Sequence, residues 1–386
     1  MTLAKPDDIA QRHSEQLLSL IYDEIERAGG KISFADYMHL CLYAPGLGYY
    51  SAGSQKLGQH GDFTTAPEIS PLFSRTFAHH IKDVLSQLKQ PSILEFGAGS
   101  GKMAADILAE LTAANCYPEK YYIIEVSADL RERQYKTIAH ALPDIVENVV
   151  WLDAIPNCFV GVILANEVCD AMPVHMLHFK QGKVAERYIE KNDAGLCWCE
   201  GSLSQSSLAS HIIEIQALIG ESEDYITEVN LAAQAWLCSL ADNLQQGALF
   251  ICDYGYPKAD YYHPQRNEGT LMCYYQHQGH ADPLILPSLQ DITAHVDFTL
   301  LAQTAIDNGL EVNGFQSQAD FLLAGGITEL SQAQENDPLL MLQQASEIKQ
   351  LTLPSAMGEN FKVLTLSKSL NQLLPRCQLA DRRYTL

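Results

Sequence analysis

An acidic residue followed by three alternate glycines is the pattern in this sequence that most directly indicates chemistry. Glu95 stands in the apolar residues 93–96, and Gly97, Gly99 and Gly101 follow it. The apolar residues predict a short buried strand, the glycines a tight turn, and the apolar-periodic residues that come next a helix. Glycines let a ligand approach the backbone, and the first helical turn offers unpaired N–H groups. A nucleotide-like ligand is therefore predicted at this helix start.

Three nucleotide motifs compete for the glycine turn. A P-loop requires glycine at the position of Phe96 and serine or threonine at that of Met103, so it fails twice. The dinucleotide fingerprint requires glycine where the sequence has Lys102. The remaining arrangement, three alternate glycines after Glu95, is similar to the first motif of class I S-adenosylmethionine-dependent methyltransferases.

A ligand with a ribose also needs a carboxylate at the end of the second strand, as in dinucleotide folds. Glu125 lies at the predicted end of that strand and is expected to accept both ribose hydroxyls. A charge at a helix start is the alternative role for such a glutamate. After the third strand, Asp153 is the candidate partner of the adenine amino group, and a plain turn is the alternative there.

The elements that must position these residues alternate between strands and helices. Strands separated by helices indicate βαβ units and a parallel sheet. The alternation therefore predicts an α/β fold. Together with the similarity of the glycine motif and the family resemblance given below, it implies a class I methyltransferase, Rossmann-like, doubly wound sheet with an amino-terminal helical and lid region and a helical insert. Strands are predicted at 121–126, 149–152, 159–164, 248–252 and 361–366, the amino-terminal helices and cofactor lid at 1–90, the core at 91–386, and a hairpin and helical insert at about 176–244.

The charge of the chain disfavours a nucleic-acid substrate. The 386 residues include 25 Lys and Arg against 47 Asp and Glu, which gives a net charge of −22. Such a surface repels a phosphate backbone and suits a cationic substrate better. No apolar run reaches the ~18–20 residues that span a bilayer, so membrane insertion is not expected.

Cysteine usage and the first residues indicate a location. The ten cysteines contain no Cys-x-x-Cys pair, which favours a reducing compartment and gives no metal signature. Residues 1–13 have no apolar core for export, and Asp7 and Asp8 are unlike a transit peptide. A cytoplasmic location is therefore expected.

Six short motifs, in the same order, resemble the MidA family of methyltransferases, whose mitochondrial members serve complex I assembly as protein arginine methyltransferases. The resemblance covers nearly the whole chain. The sequence departs from the family at the glycine turn, residues 97–102. Family members usually read Gly-Pro-Gly-Arg-Gly-Thr there, and this chain has Ser100 and Lys102 around the last glycine. The six motifs are residues 42–50, 61–70, 164–174, 253–255, 291–298 and 357–363.

Carboxylates after the fourth strand are the candidates for holding the acceptor. Open α/β sheets bind ligands at this edge, and the superfamily places acceptor-recognition residues there. Carboxylates hold a planar guanidinium through bidentate hydrogen bonds. Glu167 is the first candidate and Asp170 the second, while Glu186 in the predicted hairpin could supply another carboxylate and Asn166 could face the methionine end of the cofactor. The alternatives are a turn cap for Asp170 and an exposed ion pair for Glu186.

Further residues are expected in the pocket wall and over the cofactor. The resemblance implies that residues 61–68 form a lid, which has physical sense because excluding water protects the transfer. A lone histidine is more often a structural residue than a pocket residue. The acceptor-side candidates are Asp253, Tyr254, His295 and Asp297, and the polar contacts of the lid are Asp62, Thr64 and Thr65.

The resemblance implies an S-adenosylmethionine-dependent methyltransferase that acts on arginine of a partner protein. By family precedent the product would be symmetric dimethylarginine, and the partner a subunit of a respiratory complex. A small-molecule N- or O-methyltransferase and a non-catalytic, cofactor-binding assembly factor are the alternatives. The sequence is compatible with a homodimer and leaves the oligomeric state open.

Overall fold

The amino-terminal region is mainly helical. The structure is a computed structural model that describes residues 3–52, 65–220, 224–332 and 338–386. The first helix begins after Asp7, whose carboxylate accepts hydrogen bonds from two backbone N–H groups of the first turn. The elements of this region are α1 (Asp8–Arg27), β1 (Lys31–Ser33), α2 (Phe34–Tyr43), α3 (Ala66–Ile69) and α4 (Pro71–Leu85).

Strands and helices then alternate, as predicted. Two βα units and two further strands follow, with β2 buried along its whole length. The elements are β2 (Ser92–Phe96), α5 (Lys102–Ala113), β3 (Tyr121–Ile124), α6 (Ala128–Ala141), β4 (Val149–Leu152) and β5 (Phe159–Asn166).

An insert separates β5 from the next strand of the parallel sheet. It consists of β6 (His175–Lys180), β7 (Lys183–Asn192), β8 (Gly195–Gly201), α7 (Leu208–Ile219), β9 (Asp224–Val229) and α8 (Leu231–Asn243). The prediction of a helical stretch after the hairpin misses β9. Ile226, Thr227 and Val229 are β-branched, and this strand pairs antiparallel with β6. A short β-rich segment between two helical patterns therefore forms a strand, because β-branched residues favour the pleated surface of a sheet.

The remainder of the chain completes the large sheet and adds a small one. Its elements are β10 (Leu244–Tyr256), α9 (Lys258–Tyr261), β11 (Met272–Tyr275), β12 (Gln278–His280), β13 (Asp291–Thr293), β14 (Val296–Asp297), α10 (Phe298–Asp307), β15 (Glu311–Ser317), α11 (Gln318–Ala324), α12 (Ile327–Gln332), α13 (Pro338–Thr352) and β16 (Phe361–Lys368). None of the helices in the described ranges is both long enough and apolar enough to cross a bilayer.

The large sheet has the order β15-β16-β10-β5-β2-β3-β4. Its strands from β10 to β4 run parallel, and β16 runs antiparallel between β10 and β15. The strand order reverses at β2, which has β3 on one side and β5 on the other. Open α/β sheets bind ligands outside the carboxyl ends of the strands at such a switch point. The predicted fold class is confirmed.

Helices cover both faces of the large sheet. One apolar core contains buried residues of α4, α5 and α11, and the other contains buried residues of α8 and α10. Successive residues of β2 alternate between them, because Ile93 belongs to the first core and Leu94 to the second. The sheet is therefore a rigid layer with its carboxyl edge free to hold a site.

The amino-terminal region and the insert share a second sheet. Strand β1 pairs antiparallel with β7, in the order β1-β7-β6-β9, and β8 also pairs antiparallel with β7 along Glu186–Asn192. One apolar core joins α1 and α2 to residues of β6, β7, β11 and β13. The helices at the start of the chain are thus packed against elements that come much later in the sequence.

His80 links two helices of the first core and makes stability depend on pH. Its ring stacks on Phe321 at 3.7 Å between centroids, and Nε2 donates to the carbonyl oxygen of Phe321 at 3.0 Å. Burial lowers the pKa of His80 to about 3, although the Phe321 hydrogen bond opposes this shift. The unfolded chain takes up a proton as pH falls through ~6.5, whereas the folded chain does not.

We therefore expect His80 to cost stability in acid. The wild-type free energy of unfolding, relative to that of His80→Gln, should fall by about 1.4 kcal/mol per pH unit between pH 6 and 4. Urea titrations of both proteins at several pH values measure this difference. The same comparison with His140→Gln, at an exposed position, is the control for replacing a histidine by glutamine. A constant difference between the wild type and His80→Gln would contradict the expectation.

Candidate active site

A cavity of about 450 Å³ lies at the carboxyl ends of β2, β3 and β5. This is the switch point of the sheet, and the volume is within the range of small-molecule sites. Its wall combines the glycine turn, the ends of three strands and part of the amino-terminal region. The lining residues are Tyr43, Tyr49, Tyr50, Thr65, Pro67, Glu68, Glu95, Phe96, Gly97, Ala98, Gly99, Ser100, Met103, Ile124, Glu125, Val126, Ser127, Asp129, Leu130, Arg133, Asn166, Glu167, Val168 and Ala171.

The glycine turn has a backbone that only glycine adopts easily. The φ angles are +61° at Gly97, +54° at Gly99 and +84° at Gly101, which is the N-cap residue of α5. A Cβ atom on Gly101 would also lie 2.8 Å from the Cα atom of Gln134 in α6. The turn is therefore fixed by both conformation and packing, and it presents a helix start to the cavity.

Two glutamates lie under and beside this turn. Glu95 is 3% exposed and accepts a hydrogen bond from the Tyr121 hydroxyl at 2.7 Å. Burial raises the pKa of Glu95 to about 7, against the effect of that hydrogen bond. Glu125 follows β3, and its two carboxylate oxygens accept from the backbone N–H of Ser127 and from Nε2 of Gln134, each at 3.0 Å. Burial raises the pKa of Glu125 as well.

The end of β5 places Asn166 and Glu167 in the same cavity. Glu167 has a φ of +54°, and its backbone N–H donates to the carbonyl oxygen of Cys252 at 2.9 Å. Its carboxylate accepts from Nδ2 of Asn166 at 3.2 Å. Burial and then the charge of Asp170 raise the pKa of Glu167 to about 8. The left-handed conformation of a non-glycine residue at a ligand site is a form of strain that functional sites hold.

Asp253 holds the turn that follows Glu167. Its Oδ2 accepts from the backbone N–H groups of Val168, Cys169 and Asp170 at 3.2, 2.9 and 3.2 Å. The residue is completely buried, so it supports the site from behind and does not line the cavity. Asp253 thus fixes the backbone of this turn from outside the cavity lining, where the sequence predicts a pocket wall.

Asp170 lies in this turn with an unpaired oxygen. It is 6% exposed, and its Oδ1 has no hydrogen-bond partner within the described residues. Burial raises its pKa to about 6, while a hydrogen bond from Tyr254 opposes the shift. Asn166 Oδ1 is buried and likewise unpaired among these residues. Two unpaired acceptors therefore belong to the segment that carries Glu167, and a buried acceptor of this kind is costly unless a ligand satisfies it.

Glu186 is not part of the cavity. It lies on β7 in the second sheet, is fully buried, and accepts from His175 Nδ1 at 2.8 Å and from Ser204 Oγ at 2.8 Å. Burial would raise its pKa, but these hydrogen bonds outweigh burial and leave the pKa lowered. Its carboxylate joins β6, β7 and the loop after β8, because hairpin register places it beside His175 rather than at the edge of the large sheet.

Asp153 also lies outside the cavity lining. Its side chain is 89% exposed and pairs with Nη2 of Arg131 at 2.6 Å. The same guanidinium donates to the carbonyl oxygens of Glu125 and Leu152. Asp153 therefore takes part in the contacts of Arg131 that join the ends of β3 and β4, whereas the sequence predicts a contact with adenine.

His295, a predicted acceptor-side residue, forms an aromatic stack with its neighbours beyond the cavity lining. His295 lies edge-on to Tyr254 at 5.0 Å and parallel to Tyr256 at 5.3 Å between centroids. Burial lowers the pKa of His295 to about 4, so it is neutral at pH 7. Asp297 caps α10 by accepting from the N–H of Leu300, and burial raises its pKa to about 6. Its capping contact is structural.

The lid prediction is only partly within the described chain. Asp62 and Thr64 lie outside the described residues. Thr65 lines the cavity, as does Glu68 of α3. Glu68 accepts a hydrogen bond from Ser100 of the glycine turn. The end of the predicted lid is therefore attached to the turn through the residue that departs from the family pattern.

Sequence reasoning assigned no role to the tyrosines of the 43–50 segment. Tyr43 and Tyr50 stack at 5.6 Å between centroids, and both line the cavity. Tyr43 donates to the carbonyl oxygen of Ala171 at 3.0 Å, and Tyr50 donates to Asp291 at 2.9 Å. Two signals for them were present in the sequence: this segment is rich in aromatic residues, and it begins a long predicted irregular stretch, residues 43–70. Such stretches are uncommon in compact domains unless they are functional.

Comparison with known proteins decides the family. A family model described as an S-adenosyl-L-methionine-dependent methyltransferase matches residues 72–316. The chain belongs to this family. Its fold, the glycine turn and the cavity at the switch point are those expected for such an enzyme, and its methyl donor is S-adenosylmethionine.

A solved structure of a relative agrees with this assignment. The crystal structure of a superfamily member from Burkholderia thailandensis, bound to S-adenosyl-homocysteine, has a TM-score of 0.95 and 40% sequence identity, over 100% of each chain. The cavity and the left-handed glycine turn of the present chain fit such a ligand, because the turn brings backbone rather than side chains to the cavity.

Curated relatives of this methyltransferase are arginine-modifying enzymes by name. The Drosophila melanogaster "Protein arginine methyltransferase NDUFAF7 homolog, mitochondrial" is 29% identical, with 87% of this chain and 82% of the relative covered. The Homo sapiens "Protein arginine methyltransferase NDUFAF7, mitochondrial" is 26% identical, with 93% and 83% covered. These relatives are mitochondrial proteins, so the expectation of a cytoplasmic location is wrong.

The glycine turn of this methyltransferase can be tested with one methyl group. Gly101→Ala should weaken S-adenosylhomocysteine binding at least tenfold in calorimetry, because the new Cβ atom meets α6 and the φ of +84° strains any other residue. Gly182→Ala is the control: its φ is +73°, nothing lies within 4 Å, and it lies in the β6–β7 hairpin. Equal affinity of the Gly101→Ala and wild-type proteins would mean that the turn does not position the ligand.

Proposed function

We propose that this methyltransferase transfers the methyl group to an arginine side chain of a partner protein, held by the carboxylate of Glu167. The names of the curated relatives support the acceptor class. The observation that carries the proposal is a half-buried carboxylate on the cavity wall, Glu167, three residues before the buried Asp170, whose Oδ1 is unpaired among the described residues. Carboxylates that form no ion pair within the described part of the chain suit a cation that arrives with the substrate.

The cofactor end of the cavity is assigned to the turn and the strand ends. The backbone of Gly97, Gly99 and Gly101 would hold the methionine part of S-adenosylmethionine, with Asn166 beside it. Glu125 would accept the two ribose hydroxyls, because each of its oxygens accepts a hydrogen bond from the chain and retains capacity for another. Glu95 would support the turn from below. Thr65 would contact the ligand from the lid side, and Asp62 and Thr64 stay predictions for the same side.

Charge on Glu167 makes the acceptor site selective for a cation. With a pKa of about 8, the Glu167 carboxyl group is mostly protonated at pH 7 when no substrate is bound. A guanidinium, whose own pKa lies above ~12, favours the carboxylate form and would release that proton on binding. Bidentate hydrogen bonds would then fix the guanidinium plane and direct one nitrogen into the cavity. Asp170 would add to the negative potential behind Glu167.

Positioning is the main contribution that the protein makes to the reaction. Bound S-adenosylmethionine supplies an activated methyl group and leaves as a neutral thioether. Glu167 orients the nitrogen that forms the new bond, and it can take the proton that this nitrogen loses. The stacked Tyr43 and Tyr50 form an apolar wall that excludes water, and aromatic faces also suit a guanidinium.

Transfer of a labelled methyl group tests the proposal directly. The protein would be incubated with methyl-labelled S-adenosylmethionine and a lysate of cells that lack it. A labelled protein band whose modification maps to arginine is the expected result. Label only in the small-molecule fraction would overturn the arginine assignment, and so would a protein modified at another residue type. Peptide mapping of the labelled band also identifies the partner protein, for which a respiratory-complex subunit stays a prediction.

Replacing Glu167 should remove activity and raise stability. Glu167→Gln keeps the shape and the contact with Asn166 but loses the charge, so methylation should fall at least 100-fold. The folded wild type retains a proton between pH ~4.5 and about 8 that the unfolded chain has released, so its stability falls as pH rises through this window. The ligand-free variant should therefore be more stable than the wild type at pH 8, and this difference should shrink by about 1.4 kcal/mol for each pH unit towards pH 4.5.

A matched control separates this effect from a general loss of negative charge. Glu147→Gln changes an exposed residue in the turn before β4, away from the cavity. It should leave methylation and the denaturation midpoint unchanged. Full methylation by Glu167→Gln would contradict the role assigned to this carboxylate.

A further inference from the structure

Gln134 connects three parts of the cofactor site through one side chain. It lies on α6 and is completely buried. Its Nε2 donates to the carbonyl oxygen of Gly99 at 3.1 Å and to Oε2 of Glu125 at 3.0 Å. Its Oε1 accepts from Nε1 of Trp151 on β4 at 2.8 Å. The amide therefore joins the glycine turn, the end of β3 and β4.

Only an uncharged amide satisfies these three neighbours together. The carbonyl oxygen of Gly99 and the carboxylate of Glu125 need donors, whereas the indole of Trp151 can only donate. An amide offers two N–H donors and one strong acceptor. An apolar side chain would leave these buried polar groups unpaired. This would lower the stability of the folded protein as well as its affinity for the ligand.

The same amide limits how Glu125 can turn. One oxygen of Glu125 is held by the N–H of Ser127 and the other by Gln134, while Arg131 Nε donates to the Glu125 carbonyl oxygen at 2.7 Å. Backbone and side chain are thus both fixed. Of these contacts, the bond from Gln134 is the one that also reaches the glycine turn, so the distance between turn and carboxylate depends on it.

We propose that Gln134 is the positioning residue that sets Glu125 for the two ribose hydroxyls and ties this carboxylate to the glycine turn. The inference rests on the ribose role proposed for Glu125. It assigns to α6 a part in ligand selection, although Gln134 does not line the cavity. When a second residue holds a carboxylate in place, it increases the affinity only for ligands that contact this carboxylate.

Two ligands that differ only in the ribose hydroxyls test this proposal. The affinities of S-adenosylhomocysteine and of its 2′,3′-dideoxy analogue would be measured by calorimetry for the wild type and for Gln134→Met. The wild type should prefer the ligand with hydroxyls. In Gln134→Met, affinity for S-adenosylhomocysteine should fall about tenfold, and affinity for the dideoxy analogue by less than about threefold. The preference between the two ligands therefore shrinks.

A matched buried glutamine controls for general destabilisation. Gln318 on α11 is also completely buried and donates to the carbonyl oxygen of Leu351 at 2.8 Å. Gln318→Met should lower the free energy of unfolding and leave the preference between the ligands unchanged. If Gln134→Met does not fold, Gln134→Glu retains an acceptor for Trp151 and places a second carboxyl group beside Glu125. It should reduce the preference in the same direction.

The outcomes distinguish this proposal from the one on which it depends. Equal weakening of both ligands in the Gln134 variants would overturn the positioning role and leave the role of Glu125 intact. A wild type that does not distinguish the ligands would overturn the ribose role of Glu125, and this inference with it. A reduced preference in the Gln134 variants, together with an unchanged one in Gln318→Met, supports the proposal.

Discussion

One carboxylate organises the turn that follows Glu167 on the cavity wall. Three consecutive backbone N–H groups converge on Oδ2 of Asp253, which itself lies near the end of β10. A parallel strand that ends inside a protein leaves such groups without partners, and a buried carboxylate satisfies several of them at once. The left-handed backbone at Glu167 follows from this arrangement, because the turn must leave β5 sharply to reach Asp253. The cavity wall is then a consequence of how two neighbouring strands end.

The cost of this arrangement is a concentration of acidic groups in one place. Asp253, Asp170 and Glu167 all have pKa values raised by burial, and the pKa of Asp253 is also raised by the charges of the other two. Such groups hold protons more readily until a cation is near, so an empty site avoids most of the repulsion. The net charge of −22 acts in the same sense over longer distances, since it attracts basic protein surfaces and repels nucleic acid. Local and global charge thus favour the same class of partner.

Local patterns in the sequence predicted the parts of the site that depend on local structure. The glycine spacing and the strand ends predicted the turn, Glu125 and Glu167 because a βα unit fixes the direction in which such residues face. Glu186 and Asp153 lie away from the cavity lining because their surroundings are set by strand register and by a distant arginine. Gln134 gave no signal in the sequence, since its three partners lie on three separate elements. The sequence did not predict β9 for a related reason. This strand lies between two helical patterns, and it is stabilised by pairing with β6, which is distant in the sequence.

The sheet shared by β1 and β7 affects the order in which the chain can fold. Lys31 pairs with Glu190, and the core around α1 and α2 also includes Cys273 and Ile292. During synthesis the part of this core that includes Cys273 and Ile292 is therefore missing until well over half of the chain has been made. Contacts between residues so far apart in sequence form slowly, and apolar surface stays exposed while they do. Part of the apolar surface beside the amphipathic α1 therefore stays uncovered until these late segments are in place.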